Sequence, residues 1–153
     1  MNRHVLAAVA LLTHAVPAFA GPPDRLSILM GSYHADATLE FEQTNPGIFL
    51  DWDNPSGTTL TVGVYRNSYG RRSLALSASR TILRRGELSL EGFVGLAHYP
   101  GDGHKVPVAV GDVVPIAGLK VRYRKAFALM IPGDGATTDA IFAYGLSFDL
   151  GRQ

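Results

Sequence analysis

The sequence predicts an all-β fold, an eight-stranded antiparallel transmembrane β-barrel, and three observations lead to it. The last segment, residues 140–150, alternates strictly, with Phe142, Tyr144, Leu146, Phe148 and Leu150 on one face and Ala143, Gly145, Ser147 and Asp149 on the other. Such a period of two describes a strand with unlike faces. Here the small face suits a crowded barrel interior and the bulky face suits lipid. Charged residues make up only 18% of the chain, below the ~25% usual for soluble domains, as expected if one face of every strand meets lipid. Finally, no apolar stretch beyond residue 20 is long enough for a membrane helix, so spanning requires a closed barrel.

The chain opens with a processing segment. Arg3 and His4 form a short basic start, residues 5–12 an apolar run, and Ala18-Phe19-Ala20 a small-x-small cleavage site. This reads as a signal peptide over residues 1–20, cleaved to leave a secreted chain of residues 21–153. That length suits one domain of eight strands of roughly ten residues each.

Strand one is expected over residues 26–34, with Leu26, Ile28 and Met30 on one side. A long loop closes at Asn45-Pro46-Gly47. Strand two, Gly47–Asp53, shows Ile48, Leu50 and Trp52 on its apolar face. Asn54-Pro55-Ser56-Gly57 is a tight turn into strand three, Thr58–Arg66, with Leu60, Val62 and Val64. Residues 67–71 connect to strand four, where Leu74 and Leu76 oppose Ser73, Ala75, Ser77, Ser79 and Thr81. Arg84-Arg85-Gly86 turns into strand five, where Leu88, Leu90, Val94 and Leu96 oppose Glu87, Ser89, Glu91 and Gly95. Residues 98–105 are a Gly/Pro-rich loop. Residues 106–121 read as strand six, interrupted by Pro107 and Pro115. Strand seven, reaching residue 131, shows Tyr123, Phe127, Leu129 and Ile131 on its apolar side, and a last loop covers residues 132–139.

An even strand number places both termini on the periplasmic side. Tight turns at Asn54, Arg84 and Gly118 would then be periplasmic, and the longer loops external. Trp52 and Tyr123 would lie near the inner interface, and Tyr33, Tyr69 and Tyr99 near the outer one. Lys125 shares the apolar parity of strand seven and has to snorkel. Arg122 and Arg124 point inward on this register, where Glu87 and Glu91 can neutralise them, because a buried unpaired charge is costly.

Several classes of function are set aside. The net charge of +1 implies no nucleic-acid binding. There is no cysteine to supply a disulfide or thiol nucleophile. No phosphate loop, HExxH or GxSxG motif is present. No cofactor or metal is expected, since the rim histidines His34, His98 and His104 lack a regular ligand spacing. The topology does bring His34 and Ser68 to the same rim. A hydroxyl beside an imidazole is the minimum needed for acyl transfer, because the imidazole can accept the hydroxyl proton. Histidine and serine are equally ordinary loop residues.

Three groups of residues then carry a resemblance. Val113-Val114-Pro115-Ile116-Ala117, followed by Met130-Ile131-Pro132-Gly133 and Phe142-Ala143-Tyr144, is similar to the C-terminal half of the outer-membrane lipid A palmitoyltransferases (PagP-like barrels). Ser32-Tyr33-His34 and Tyr65-Arg66-Asn67-Ser68-Tyr69 resemble the two segments that carry that family's catalytic groups. The resemblance implies a barrel in the Gram-negative outer membrane that moves a palmitoyl chain from phospholipid to lipid A. It assigns His34 as the catalytic histidine and Ser68 as the serine. Asn67 stands where the family has an aspartate, and an asparagine cannot carry charge to stabilise an imidazolium.

Pro115 and Pro132 match prolines that interrupt hydrogen bonding between strands six and seven and give lipids lateral access; proline donates no ladder bond. They equally serve as strand-end punctuation. Ser79 falls at the floor of the family's acyl pocket and shares inward parity with Ser77. Small residues there fit a cavity or close packing in a narrow barrel. The family's N-terminal amphipathic helix has no counterpart between Gly21 and Leu26. Leu29 replaces the strand-one proline of a second lateral opening, while Pro46 matches its partner. The partners implied are membrane lipids, and a monomer is expected. Two other readings stay open: a non-catalytic outer-membrane barrel (structural, adhesive or lipid-binding), and a soluble lipocalin-like barrel.

Overall fold

Eight antiparallel strands close into one barrel, each paired with its chain neighbours and β8 returning to β1. They are β1 (Arg25–Ala35), β2 (Gly47–Asp53), β3 (Thr58–Arg66), β4 (Arg72–Arg85), β5 (Leu88–His98), β6 (Val113–Tyr123), β7 (Ala126–Pro132) and β8 (Ala140–Asp149). This computed structural model describes residues 21–151, so the signal peptide expected over residues 1–20 lies outside the described residues. The chain ends and the turns after β2, β4 and β6 lie at one end, the terminal end. Residues 36–46, 67–71, 99–112 and 133–139 form the rim at the other. Closure pairs every strand on both sides, although the β1–β2 and β6–β7 ladders stop short of the rim.

The expected two-faced alternation holds on β2, β3, β5 and β8, on β1 up to Leu29 and on β4 up to Thr81, where register shifts interrupt it. Ile28, Ile48, Val64, Leu74, Val94 and Leu146 are exposed on the outside, while Ser27, Ser73, Ser79, Ser89 and Ser147 are buried inside. The outer wall is therefore apolar and the inner wall small or polar.

Strands six and seven depart from expectation. Residues 106–112 are loop, with a 3-10 turn at Gly103–Lys105, and β6 starts only at Val113. The turn expected at Gly118 falls instead at Arg124-Lys125, where Arg124 takes a φ of 53°. Tyr123 pairs with Ala126 across it. Directly opposed residues share a face, so a two-residue turn flips the parity. Phe127, Leu129 and Ile131 thus face inward rather than toward lipid, while Ala126, Ala128 and Met130 face out. Lys125 sits in the turn, its Nζ 5.7 Å from the centre of the Phe148 ring, a cation–π contact that relieves the apparent misfit.

Aromatic residues on the inner wall lie against glycines. Phe49 pairs with Gly63, Phe93 with Gly118 and Phe127 with Gly145. A Cβ on Gly145 would come within 2.8 Å of the Phe127 ring, and one on Gly63 would overlap the Phe49 ring. The glycines on the small face are thus sockets for rings from the neighbouring strand.

Below these rings, toward the terminal end, the interior is charged. Arg25 pairs with Asp51 at 3.4 Å, Asp53 at 3.3 Å and Asp149 at 3.1 Å. Lys120 meets Glu91 at 3.0 Å, and Arg122 lies 3.8 Å from both Asp51 and Glu91. Arg124 meets Glu87 at 2.8 Å, but on the exposed turn rather than inside. Thr61 donates to Asp51 at 2.6 Å, and Ser79 and Ser89 donate to Glu91 at 3.1 and 3.3 Å. Buried charges survive when paired and hydrogen-bonded in this way.

Candidate active site at the barrel rim

A β-bulge decides where His34 points. On an unbroken β1, His34 would share the outward parity of Leu26, Ile28 and Met30. The β1–β8 register shifts between Leu29 and Gly31, leaving Met30 as an extra residue. Beyond it Tyr33 faces out, 56% exposed, and Ser32 and His34 face in, 6% and 4% exposed. Gly31 is required here: a Cβ would come within 2.8 Å of both the Gln43 carbonyl and the Tyr144 hydroxyl. A glycine inside a strand is the available sequence signal for such a bulge.

His34 stacks on Phe41 with centroids 4.3 Å apart and planes inclined by 15°. Both of its ring nitrogens are buried without a hydrogen-bond partner among the described residues. Buried polar groups are nearly always paired, so an exception calls for an explanation. The aromatic chain continues from Phe41 to Tyr69 at 5.8 Å, from Tyr69 to Tyr99 at 6.2 Å and from Tyr99 to Tyr65 at 6.4 Å. Tyr69 and Tyr99, expected in an outer girdle, thus turn onto the mouth instead; burial raises the pKa of both phenols.

Two cavities meet at this mouth. The outer, about 230 Å³, is lined by His34, Phe41, Ser68 and Tyr99, and by Pro115 and Pro132 on β6 and β7. The inner, about 130 Å³, shares Ser68, Tyr99, Ile116, Ile131 and Ile141 with it and reaches down past Phe49, Phe93 and Phe127. A volume near ten times the ~10–15 Å³ one water needs is a real void. Its walls are largely apolar, with serines, Asn45 and Thr61 among them, and its floor is Ser79, Asp51 and Lys120 at the top of the charged layer. Ser77 lines the same wall. Ser79 lines this cavity, and its hydroxyl donates to Glu91.

Pro115 and Pro132 flank a break in the barrel wall. The β6–β7 ladder runs only from Tyr123–Ala126 to Leu119–Met130, and no ladder pair rimward of it is found among the described residues. The outer cavity is lined on that side by Val114, Pro115, Ile116, Ile131 and Pro132. The neighbouring rim loop 133–139 is fixed by Asp134, whose carboxylate accepts from the Thr137 and Ala136 amides and the Thr137 hydroxyl. Those donors hold its pKa well below the usual carboxylate range.

Asn67 is fully buried, and its side chain serves the turn that presents Ser68. Its Oδ1 accepts from the Tyr69 and Arg71 amides at 2.9 and 3.0 Å, and Nδ2 donates to Ser73 at 3.0 Å. The structure therefore brings His34 and Ser68 to one cavity and shows Asn67 bonded within its own turn, with no hydrogen bond among the three. His98 and His104 are exposed outside the cavity. Among the described residues no group of His, Asp or Glu side chains is arranged to hold a metal ion. Buried Ser32 and Asn45, both lining the inner cavity, escape sequence reasoning because Asn45-Pro46-Gly47 reads as an ordinary turn. A scan against protein-family models gives no match to this chain, and a search of curated proteins gives none either.

Proposed function

We propose that the protein is an outer-membrane acyltransferase of the lipid A palmitoyltransferase type, taking an acyl chain from a phospholipid and passing it to a lipid hydroxyl. The observation that carries this reading is the pairing of a buried, unpartnered imidazole with an apolar void below it and a gap in the wall beside it. In the reaction, His34 takes the proton from the attacking hydroxyl, either that of Ser68 or that of an acceptor lipid beside it. The new ester bond forms as the phospholipid ester bond breaks, and His34 returns the proton to the departing lysophospholipid oxygen. Where Ser68 attacks first, the acceptor hydroxyl then attacks the Ser68 ester, and His34 carries the acceptor's proton to the released Ser68 Oγ. The acyl chain lies in the inner cavity, and the proline-flanked gap gives lipids sideways access. Mass spectrometry of lipid A from cells with and without the protein tests the proposal. An added acyl chain only in the presence of the wild type is the expected result, and identical lipid A in both would sink it.

Membrane residence is supported by the apolar outer wall, which on a water-facing barrel would be an unusually large exposed patch. The mature chain is expected in the outer-membrane fraction, with heat-dependent mobility on gels. Replacing outward Leu146, 38% exposed, with Arg should lower barrel stability by about 2–4 kcal/mol if it sits at mid-bilayer. Recovery of the wild type as a soluble periplasmic protein would exclude this placement.

The floor gives a further expectation. Ser79→Met fills the lower cavity and removes one hydrogen bond to Glu91, so the folded variant should prefer a shorter acyl chain. An unchanged product spectrum would argue against a chain reaching that depth.

The second reading is a lipid-binding barrel without catalysis. It is favoured by the lack of a hydrogen bond linking His34, Asn67 and Ser68. Bound phospholipid recovered with the purified protein, together with unmodified lipid A, would select it.

A further inference from the structure

Rimward of the Leu29–Gly47 pair no ladder joins β1 to β2, and residues 41–46 bridge the space between β1 and the end of β3. The segment is stitched on both sides. Toward β1, the Ser32 amide donates to the Gln43 carbonyl at 2.9 Å, and the Ser32 hydroxyl donates to Asn45 Oδ1 at 2.5 Å. Toward β3, Asn45 Nδ2 donates to the Arg66 carbonyl at 3.1 Å. The Arg66 amide donates to the Pro46 carbonyl at 2.9 Å, and the Glu42 amide to the Ser68 carbonyl at 2.8 Å. Chemistry fixes the orientation of the Asn45 amide. A backbone carbonyl only accepts, so Nδ2 faces Arg66 and Oδ1 is left for the Ser32 hydroxyl.

Ser32 stands two residues before His34, and Arg66 two residues before Ser68. Asn45 is 3% exposed and lines the inner cavity together with Ser32 and Ser68. We propose that Asn45 is a positioning residue: by bridging Ser32 on β1 to Arg66 on β3 it sets the separation of His34 and Ser68 where the sheet itself does not. The proposal rests on the acyltransferase reading. On its other side β1 is held by β8, with Ser32 opposite Ala143 and His34 opposite Ile141. Toward β3, Asn45 is the side chain that bonds both strands, beside the 3.3 Å Glu42–Arg66 ion pair of the same segment. Without it the buried Ser32 hydroxyl and the part-buried Arg66 carbonyl each lose this bond, and satisfying them elsewhere shifts the two strand ends. A misplacement of about 1 Å can lower a rate on the order of 10²-fold.

The test uses the full barrel in detergent or proteoliposomes. Asn45→Ala should lower kcat on the order of 10²-fold with little change in KM for the phospholipid donor, because Phe49, Phe93 and Phe127, the apolar walls that hold the acyl chain, are unchanged. Asn45→Asp should also be slow, since its carboxylate keeps the Ser32 bond but faces the Arg66 carbonyl. Ser32→Ala should be slow as well, and Ser32→Thr, which retains the hydroxyl, should recover. A second readout needs no activity. The chain has no cysteine, so spin labels at Tyr33→Cys and Val64→Cys, both on the outer wall, report the separation of β1 and β3. The distance distribution should be narrow with Asn45 in place and broad in Asn45→Ala. A narrow distribution in folded Asn45→Ala overturns the bridge. A broad distribution with unchanged kcat overturns the positioning role. A wild type that transfers no acyl chain sinks the acyltransferase reading, and with it the catalytic purpose of the bridge, whatever the labels show.

Discussion

His34→Ala and Ser68→Ala should each take acyl transfer below detection while leaving the barrel closed. Under the acyltransferase reading, losing a positioned base removes a contribution of about 10²–10⁴-fold, which brings transfer close to background. Folding should survive because neither side chain donates or accepts a hydrogen bond that the barrel depends on. His34 loses only its stacking on Phe41, and Ser68 contributes to the loop through its backbone carbonyl. Heat-modifiable gel mobility checks the barrel, and transfer of a labelled acyl chain from phospholipid in mixed micelles checks the reaction. Activity equal to wild type in both variants would remove these residues from the mechanism.

Asn67→Asp belongs to the same experiment. The carboxylate keeps the two backbone bonds of the turn and accepts from the Ser73 hydroxyl in place of donating to it, so the variant should fold. A negative charge near the imidazolium that forms would favour proton transfer, and a rise in rate is the expected sign. Since the Asn67 side chain bonds to its own turn rather than to His34, any gain has to act through space.

Much of this architecture is legible in the residues themselves. Alternation is a direct readout of which face a strand buries, and on β2 to β5 and β8, and on β1 before its bulge, the serines and alanines of the small face are where it places them. The failures occur where a turn or a bulge resets the parity. Arg124-Lys125 carries neither the glycine nor the asparagine that favoured two-residue turns use, so the β6–β7 connection leaves no local trace, and Gly118 looked like the turn. In the structure Gly118 is a socket beneath Phe93. That one shift moved Phe127, Leu129 and Ile131 from the outer wall to the lining of the cavity. The bulge at Met30 works in the opposite sense: it turns His34 into the barrel, although simple counting along the strand points it at lipid. Asn45 was hidden for a third reason. Its neighbours explain it as a turn, and its bonds to Ser32 and Arg66 span parts of the chain that only closure brings together.

The charged layer beneath the cavity yields the second large effect. Lys120→Met should destabilise the barrel by about 3–5 kcal/mol, because it strips Glu91 of its nearest cation and leaves a buried carboxylate facing Arg122 at the longer distance of 3.8 Å. Ser79 and Ser89 still donate to that carboxylate, which places the expected loss toward the lower end. Replacing both partners, as Lys120→Met with Glu91→Leu, should recover most of the loss, since exchanging a buried ion pair for apolar residues of similar volume is often neutral or stabilising. Urea unfolding in lipid vesicles, comparing each single variant with the double, measures this coupling directly. Additive losses would show that Lys120 and Glu91 do not act as a pair. The double variant also has a functional consequence under the acyltransferase reading. With Lys120 made apolar while Ser79 and Asp51 keep the rest of the floor polar, the boundary that stops an acyl chain at Ser79 is weakened, and the product spectrum should shift toward longer chains even though no residue near His34 has changed.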